Sequence, residues 1–330
     1  MGEGWGGGAP ALASIAALWL ALTIDHWLGE PPARWHPVVW IGRYLGWTGR
    51  HIAPPAVAGA TRDLSRFAAG SVAWCAGAFL VLVVAWGLTA AAQGLPMWAA
   101  ALLTGLALKP LLAWRMLRDE VLEVEGALDR SLVVGRTQLA RLVSRDVSAL
   151  SASEVRESAI ESLSENLNDS LVAPVFWFVL FGLPGAAVYR FANTADAMWG
   201  YRGERDGRRW EWAGKWAARA DDVLSWVPAR LTALLLLCCS LFSGAGMAMR
   251  ELRSEARKTP SPNSGWPMAA MALLLGVRLA KPGAYTLNPA GRQPFACDTL
   301  RAVALGRRVV ALSALCATLA IGSMSTWGSP

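Results

Sequence analysis

Residues 68–92 read AAGSVAWCAGAFLVLVVAWGLTAAA, and residues 96–114 follow with PMWAAALLTGLALKPLLAW. Each stretch is long enough to cross about 30 Å of hydrocarbon at about 1.5 Å per helical residue. The three residues that join them, Gln93, Gly94 and Leu95, leave room only for a short turn. The two stretches are therefore predicted to form a helical hairpin within a membrane.

The composition of the whole chain agrees with a membrane protein. Of its 330 residues, 54% are hydrophobic and only 17% are charged, whereas average usage is about 25% charged. Trp, which favours the membrane–water interface, occurs 18 times. The formal net charge is +7, as expected for basic cytoplasmic loops. Because the arginines are scattered among acids, no nucleic-acid partner is expected.

Further apolar segments decide the fold class. Residues 11–28, 231–249 and 303–322 are also long enough to span the bilayer. Residues 172–188 are interrupted by Gly182-Leu183-Pro184-Gly185 and residues 266–279 are short, so both are predicted to be re-entrant or core helices. The prediction is an all-α, polytopic integral membrane protein with about 4–6 membrane segments. We expect one helical domain over residues 1–330.

Residues 115–170 carry apolar side chains at helical spacing among many Arg, Asp and Glu, which predicts amphipathic cytoplasmic helices. Within them, Glu157, Glu161, Glu165 and Asp169 recur every four residues and share one stripe of a helix. Four like charges in a row repel each other unless cations neutralise them. Hard oxygen ligands of this kind suit Mg²⁺ that carries phosphate. The alternative is an ordinary solvated helix face. If the stripe binds a metal, we expect it to do so at its C-terminal half, so that Glu157 matters least.

Ionisable residues also crowd at the end of the first apolar segment. Asp25 and Glu30 flank Gly29, and His36 follows shortly after Pro31-Pro32. A helix end explains the glycine and the prolines, but it does not require charged groups at a membrane boundary. The sequence therefore leaves two interpretations open, a functional cluster and a plain helix end.

Two further clusters follow the interrupted segment. Asn193 and Asp196 are i, i+3 neighbours that face the same way on a helix, although Asn193 is also a suitable helix N-cap. Arg219 precedes the adjacent acids Asp221 and Asp222. Such acids either bind a metal or pair with arginine.

The last polar cluster is the segment Ser261-Pro262-Asn263, with Lys258 before it. Its composition is typical of an ordinary turn, and a loop with hydroxyl groups and cations also suits phosphate. Arg230 lies at the entrance of the apolar segment 231–249, where it either binds an anion or extends its charge to the interface.

Common catalytic motifs are absent from the sequence. It has no Walker A motif, no GxGxxG sequence after a strand, no HExxH and no Cys-rich metal motif. Its three histidines all lie near the N-terminus, which disfavours a nucleophilic triad. Acid–amide clusters and Arg-rich loops at one membrane face instead suit a phosphate-bearing polyanion with a divalent ion.

Taken in order, these clusters resemble the adenosylcobinamide-phosphate synthase family of cobalamin-biosynthesis membrane proteins. The resemblance covers most of the chain, from about residue 18 to beyond residue 278. The matching stretches are Asp25…Gly29-Glu30-Pro31-Pro32…His36-Pro37, Glu161-Ser162…Glu165-Asn166…Asp169…Ala173-Pro174, Asn193-Thr194…Asp196…Met198…Gly200-Tyr201, Ala218-Arg219…Asp221-Asp222…Pro228-Ala229-Arg230-Leu231-Thr232 and Ser261-Pro262-Asn263…Gly265…Leu275-Gly276-Val277-Arg278-Leu279. Residues 202–216 and 282–292 match less clearly.

The resemblance implies an acid–amine ligase. Such an enzyme joins the free propionate of adenosylcobyric acid to (R)-1-aminopropan-2-ol phosphate, or to free aminopropanol, and gives adenosylcobinamide phosphate. ATP is then a co-substrate with Mg²⁺, and the corrinoid is a substrate and not a cofactor. The active site is expected to face the cytoplasm, because both ATP and the corrin precursor are found there.

The resemblance and the chemistry together assign the site residues. Catalytic roles, as metal ligands or general base, fall to Glu161, Glu165, Asp169, Asp196, Asp221 and Asp222, with Glu165 and Asp169 on the metal. Substrate-binding roles fall to Asp25, Glu30, His36, Asn166, Asn193, Tyr201, Arg219, Arg230, Lys258, Ser261 and Asn263. The expected partners are the lipid bilayer, the two substrates, and either other late cobalamin-pathway enzymes or a second copy of the chain.

Two other classes of function remain open at this stage. One is a regulatory or sensory membrane protein of the ampicillin-resistance type, which would not need dense acid–amide clusters. The other is a small-molecule transporter, in which Asp25 and the broken segment 172–188 would line a path. A transporter should carry charges well inside several membrane segments, whereas nearly all charges here lie at segment ends.

Overall fold

The described part of the chain is mostly helical, as predicted. The computed structural model describes residues 8–56, 62–241 and 248–327. Its helices are α1 (Gly8–Leu28), α2 (Pro37–Ile52), α3 (Leu64–Gln93), α4 (Met97–Leu108), α5 (Trp114–Arg130), α6 (Leu132–Leu139), α7 (Ala152–Leu167), α8 (Ala173–Trp199), α9 (Lys215–Leu224), α10 (Trp226–Leu241), α11 (Met249–Ala256), α12 (Gly265–Leu275) and α13 (Ala296–Trp327).

Short elements complete the described residues. Two 3-10 turns, Ala33–Trp35 and Lys109–Leu111, follow α1 and α4, and the π-helical turn Asn168–Val172 follows α7. Strands β1 (Glu204–Arg205) and β2 (Arg208–Arg209) form one antiparallel hairpin. Strands β3 (Leu279–Lys281) and β4 (Tyr285–Leu287) form a second, with Leu279 opposite Leu287.

The predicted hairpin is present as α3 and α4. Helix α3 begins at the N-cap Asp63, whose side chain accepts a hydrogen bond from the backbone N–H of Arg66. It ends at Gly94, and Pro96 precedes the first residue of α4. Both breaks arise from local sequence, since proline suits the residues next to a helix start and glycine suits a helix end.

Among the described residues, five helical segments are long and apolar enough to cross a membrane, and a sixth results if α9 and α10 form one bent span. The five are Gly8–Leu28, Leu64–Gln93, Met97–Arg130, Ala152–Trp199 and Ala296–Thr326. This confirms a polytopic helical membrane protein with about 4–6 segments. The end of the predicted segment 231–249 lies partly outside the described residues.

The predicted interruption of segment 172–188 is also present. Gly182 in α8 has a φ of 65° and a ψ of −156°, which is not helical, and Pro184 follows it inside the same helix. Glycine adopts a positive φ without the steric cost of a Cβ, and proline removes a helical hydrogen bond. The re-entrant path proposed for this segment stays a prediction. The short apolar segment at 266–279 contains α12 and β3.

The chain divides into two compact units. Unit 1 comprises Met1–Leu112, Ala173–Leu224 and Ala317–Pro330, and unit 2 comprises Ala113–Val172 and Ser225–Cys316. Residues 115–170, predicted as amphipathic helices, contain α5, α6 and α7 of unit 2. The single domain expected over residues 1–330 stays a prediction.

Unit 1 has two apolar clusters. In the first, Leu18 of α1 and Leu108 of α4 pack with Phe178 and Ala186 of α8. The second contains Leu45 of α2 together with Trp199 and Trp210. The indole N–H of the buried Trp199 donates to the Leu45 carbonyl at 3.1 Å, so this large side chain is buried without losing its hydrogen bond.

Unit 2 is built around α7. A capping box starts this helix, because the Ser151 hydroxyl accepts from the Glu154 N–H while the Glu154 carboxylate accepts from the Ser151 N–H. Ile160 and Leu163 of α7 are fully buried, as is Met271 of α12. At the end of α7 the backbone passes into the π-helical turn, where the Ser170 carbonyl accepts from the Ala113 N–H.

Close packing at Gly70 gives the first testable prediction. A Cβ at Gly70 of α3 would lie 1.9 Å from the Ala213 carbonyl oxygen, whereas a Cβ at Gly87 of the same helix would meet nothing within 4 Å. Gly70→Ala should lower stability by about 1–3 kcal/mol through overpacking. Gly87→Ala should be neutral or stabilising, since alanine is the better helix former. Thermal unfolding in detergent, followed by circular dichroism, compares the two variants, and equal melting temperatures would contradict the prediction.

Candidate functional site

A cluster of charged and polar side chains lies at the end of α1 in unit 1. We call it the N-terminal ion cluster and define it as Asp25, Glu30, His36 and Lys109. The Lys109 ammonium lies 3.1 Å from the Asp25 carboxylate and 2.8 Å from that of Glu30. His36 Nε2 lies 2.9 Å from the other Glu30 oxygen. Asp25 and Lys109 are almost completely buried, so the charges neutralise each other away from water.

Local backbone structure brings these side chains together. Gly29 ends α1 with a φ of 73°, and its N–H donates to the Ile24 carbonyl, as expected of a glycine just past a helix end. His36 is the N-cap of α2, because its Nδ1 accepts from the Val38 N–H at 3.2 Å. A neutral imidazole that accepts at Nδ1 carries its proton on Nε2. His36 therefore donates to Glu30.

The Glu30 carboxyl is ionised in this setting. Burial alone would raise its pKa, but the hydrogen bonds from His36 and Lys109 and the positive charge of Lys109 hold the pKa below its usual value. Lys109 thus faces two carboxylates. Asp25, Glu30 and His36 lie close together in the sequence, and the structure brings all three side chains into one cluster with Lys109.

The remaining predicted residues of unit 1 lie on α8, α9 and the segment after α8. The Asn193 amide lies 3.5 Å from the Asp221 carboxylate. The Asp196 carboxylate lies over the Cα of Gly200, where a Cβ would be 1.9 Å from its oxygen. The Tyr201 hydroxyl donates to the Ala197 carbonyl at 3.0 Å, and Arg205 stacks on the Tyr201 ring.

Exposure distinguishes the members of this group. Asn193, Asp196, Tyr201, Asp221 and Asp222 are partly exposed, and Arg219 is exposed. A ligand can therefore reach them. Asn193 is in α8, whereas Asp221 and Asp222 are in α9. These two helices therefore bring the cluster of Asn193 and Asp196 next to the cluster of Arg219, Asp221 and Asp222.

In unit 2, arginines pair with the first two acids of the α7 stripe. The Glu157 carboxylate is fully buried. One of its oxygens accepts from Arg278 at 2.9 Å, and the other accepts from the Ala280 N–H at 2.9 Å. The expectation that Glu157 matters least is therefore at odds with its burial, because a buried charge without its partners is costly.

Glu161 is held in the same way by two other side chains. Arg145 donates to one of its oxygens at 3.2 Å and to the Ser158 hydroxyl at 2.7 Å. The Tyr285 hydroxyl donates to the other Glu161 oxygen in a short hydrogen bond. Both oxygens of Glu161 thus have protein partners, which favours a positioning role for Glu161 over metal binding.

Tyr285 remains a hydrogen-bond donor at any ordinary pH. Burial raises the pKa of its phenol, and the negative charges of Glu161 and Glu165 raise it further. Its oxygen also lies 3.8 Å from the Met268 sulfur. Tyr285 belongs to β4, so the hairpin of β3 and β4 carries both Tyr285 and the Ala280 N–H to α7.

The second half of the stripe is more accessible than the first. Glu165, Asn166 and Asp169 are partly exposed, whereas Glu157 and Glu161 are buried. Asp169 does not continue a regular α-helix, because it lies in the π-helical turn. Its carboxylate accepts from the Asn168 side-chain amide at 2.8 Å, and the Asn168 side-chain oxygen accepts from the Thr232 hydroxyl of α10 at 3.0 Å. Single π-helical turns are frequent at functional sites.

No group of three or more His, Cys, Asp or Glu side chains among the described residues is arranged to hold a metal ion. This does not conflict with the predicted Mg²⁺. A magnesium ion that arrives with a nucleotide is typically bound by one or two carboxylates together with the phosphates. Glu165 and Asp169 fit that smaller requirement, because both are partly exposed and four residues apart.

The last predicted cluster of unit 2 surrounds Arg230. Its guanidinium donates to the Asn263 side chain at 2.9 Å and to the Pro262 carbonyl at 3.2 Å. It also lies over the rings of Trp226 and Trp266. Arg230 therefore holds the 261–264 turn in place.

Other residues of this turn have mixed accessibility. The Ser261 hydroxyl accepts from the Asn263 and Ser264 backbone N–H groups. Asn263 is buried and Lys258 is exposed beside Glu255, whose carboxylate lies 2.6 Å from its ammonium. Lys258 is thus an exposed side chain whose ammonium is paired with Glu255.

Sequence reasoning missed the partners of the predicted acids. Lys109 lies within an apolar segment of the sequence, and a lone lysine in such a segment is itself a sign of a buried partner. Arg145 and Tyr285 carry no comparable sequence signal, because each acquires its role through a contact with Glu161 that is distant along the chain.

The fold and these clusters define a polytopic helical membrane protein with acid–cation clusters near the ends of its membrane segments. A family model described as CobD/Cbib protein matches residues 18–312. The chain belongs to this family, and it has a role in cobalamin biosynthesis.

Several related proteins match the sequence of this chain over most of their length. The chain is 40% identical over 300 residues to a probable cobalamin biosynthesis protein CobD of Pyrococcus abyssi, covering 90% of this chain and 93% of that protein. It is 36% identical over 287 residues to the corresponding protein of Methanothermobacter thermautotrophicus, covering 84% and 88%. The cobalamin biosynthesis protein CobD of Dehalococcoides mccartyi is 37% identical over 274 residues, with 82% and 85% covered. No solved structure matches the chain.

The contact between Tyr285 and Glu161 gives the second testable prediction. Tyr285→Phe keeps the ring and removes the hydroxyl that donates to Glu161. Hydrogen bonds to charged groups contribute about 1.5–3 kcal/mol, so the variant should melt at a clearly lower temperature in detergent. Tyr201→Phe is the matched control, since the Tyr201 hydroxyl donates to a nearby backbone carbonyl, that of Ala197, and not to a charged group. If both variants melted together, Tyr285 would not be the residue that holds Glu161.

Proposed function

We propose that this protein is the amide-forming ligase of late corrin assembly. It would join the free propionate of adenosylcobyric acid to (R)-1-aminopropan-2-ol phosphate, or to aminopropanol, at the expense of ATP. Membership of the CobD/Cbib family and relatives named for cobalamin biosynthesis support this proposal. The family and the names of its members favour the ligase over the regulatory protein and the transporter, because they point to cobalamin biosynthesis.

One observation supports the chemistry most directly. Helix α7 buries two carboxylates whose charges are taken up by Arg278 and Arg145, and then presents the partly exposed Glu165, Asn166 and Asp169. The buried half fixes the helix, and the accessible half offers two carboxylates and an amide on neighbouring turns. Such a rigid support suits a site that must hold its ligands in a defined geometry.

The reaction needs an activated carboxyl group, because a carboxylate is a poor electrophile. A propionate oxygen attacks the γ-phosphorus of ATP, the bond to the bridging oxygen breaks, and ADP leaves with that bond's electron pair. The amine then attacks the acyl carbon, inorganic phosphate leaves, and the amine gives its proton to a base. The products are the amide, ADP and phosphate. When bound, Mg²⁺ would neutralise the charge of the phosphate oxygens.

Protein residues have separate tasks in this proposal. Glu165 and Asp169 hold the metal, and Asn166 orients a phosphate or amide group of the substrates. Lys258, whose side chain is exposed, neutralises phosphate. Arg230 and Ser261 shape the turn that contains Asn263, as their hydrogen bonds show. Asp196, Asp221 and Asp222 of unit 1 stay the predicted candidates for the general base.

The activity is tested with the purified full-length protein in detergent. We expect an amide product from adenosylcobyric acid, MgATP and ¹⁵N-labelled aminopropanol phosphate or aminopropanol, with one ADP formed per amide. Comparison of the two amines decides which donor is used. If neither amine gave product while the protein remained folded, the ligase proposal would be wrong, although the family membership would stand.

Charge-neutral substitutions test the metal site. Glu165→Gln and Asp169→Asn change little in volume, and each should lower kcat/KM at least about 100-fold, or about 2.7 kcal/mol of transition-state stabilisation. Melting temperatures should change little, because both side chains are partly exposed. Asp129→Asn, an exposed acid of α5, is the control and should keep full activity. Equal activity in all three variants would contradict the assignment.

We further propose that the amphipathic helices of residues 115–170, in unit 2, face the cytoplasm. Residues 115–170 are rich in arginine, whereas the turn between α3 and α4 carries no charge, and positive segments favour the cytoplasmic side. In a Cys-free background, an impermeant maleimide applied to intact cells should label Gln93→Cys but not Ala149→Cys, both of which are exposed positions. Ala149→Cys should react after permeabilisation. Labelling of Ala149→Cys in intact cells would reverse the orientation.

A further inference from the structure

Unit 1 contains a cavity of about 690 Å³ beside the N-terminal ion cluster, and no step of the proposed reaction is assigned to its apolar walls. Its walls come from the end of α1, the segment after it, and helices α2, α3, α4 and α8. Most lining residues are apolar, and Glu30 and Lys109 are its charged members. The volume lies within the range of about 300–1,000 Å³ that is usual for ligand sites.

The cavity reaches the exposed surface of α3, which is a candidate membrane span. This helix contributes Gly77, Leu80, Val81, Val84, Ala85 and Leu88, whose spacing places them on one face of the helix. Ala85 is buried, while Leu80 and Val84 are exposed at 57% and 56%. Because α3 is a candidate membrane span with little of its surface buried, the mouth of the cavity opens toward hydrocarbon.

The other end of the cavity has the chemistry of the membrane–water interface. Trp35 and Trp40 line it and are exposed at 64% and 48%, and exposed tryptophan is enriched at the depth of lipid headgroups. Arg34, whose guanidinium lies 5.9 Å from the centre of the Trp35 ring, is exposed at the same place. An arginine at this depth attracts a lipid phosphate.

We propose that this cavity binds one acyl chain of a membrane phospholipid. Apolar cavities do not hold water and readily take up apolar molecules, and the hydrocarbon next to α3 supplies such a molecule. The chain enters between Leu80 and Val84 and lies against Ala85 and Ala187. The phosphate lies near Arg34, outside the N-terminal ion cluster. This inference does not depend on the proposed ligase activity.

Photocrosslinking tests the proposal on the full-length protein. The protein is reconstituted in vesicles of phosphatidylethanolamine and phosphatidylglycerol with a small share of phosphatidylcholine that carries a diazirine in one acyl chain. After irradiation, adducts are located by peptide mass spectrometry. They should concentrate on Val81, Ala85 and Leu88, compared with Phe79 and Trp86, which are exposed on α3 outside the cavity. An even distribution over both groups would overturn the proposal.

A pair of neighbouring substitutions separates cavity binding from general lipid contact. Val84→Trp places a large ring at the mouth of the cavity, whereas Val83→Trp adds the same ring at an exposed position that does not line it. Val84→Trp should reduce the cavity adducts about tenfold, or about 1.4 kcal/mol of binding free energy. Val83→Trp should leave them unchanged. Equal adduct levels in the two variants would contradict the proposal.

The wild-type protein provides the remaining check. Extraction of washed, detergent-purified protein should release phospholipid at about one molecule per chain, and Val84→Trp should release less. An isoprenoid, a quinone or no lipid at all in the wild-type extract would overturn the phospholipid assignment. Because this measurement uses the wild-type protein, it holds even if Val84→Trp folds poorly.

Discussion

The buried carboxylate of Glu157 is the constraint on which unit 2 depends. A charge without exposure to water must be paired inside the protein, and here Arg278 and the Ala280 N–H provide the partners. Both lie at the start of the β3–β4 hairpin, so the hairpin is attached to α7 by the same contacts that neutralise the charge. That attachment brings Tyr285 to Glu161 and fixes the helix that presents Glu165 and Asp169.

The helical fold could be predicted because its causes are local. Apolar length, Gly94 and Pro96 determine the hairpin of α3 and α4, and Gly182 with Pro184 determines the break in α8. The hairpin of β3 and β4 was not predicted. Its strands have only three residues each, and strands of that length leave no periodic pattern that sequence analysis can detect.

The site could be predicted only in part, for a physical reason. Acids in a regular series are visible in a sequence, but their partners are not, since Tyr285 is 124 residues from Glu161 and Arg278 is 121 from Glu157. Cations were expected to neutralise the acids of the α7 stripe. For Glu157 and Glu161, the first two of these acids, the cations are Arg278 and Arg145. The π-helical turn at Asp169 was also missed, because the spacing was interpreted with the period of an α-helix.

The pairing of Lys109 with Asp25 has a consequence for biosynthesis of the chain. Asp25 is at the end of α1 and is synthesised well before the hairpin of α3 and α4, which carries Lys109 to it. Until that hairpin is made, Asp25 lacks its buried cation, and an unpaired carboxylate resists entry into hydrocarbon. The final position of the first helix is therefore stabilised by the fourth, which brings Lys109 to Asp25.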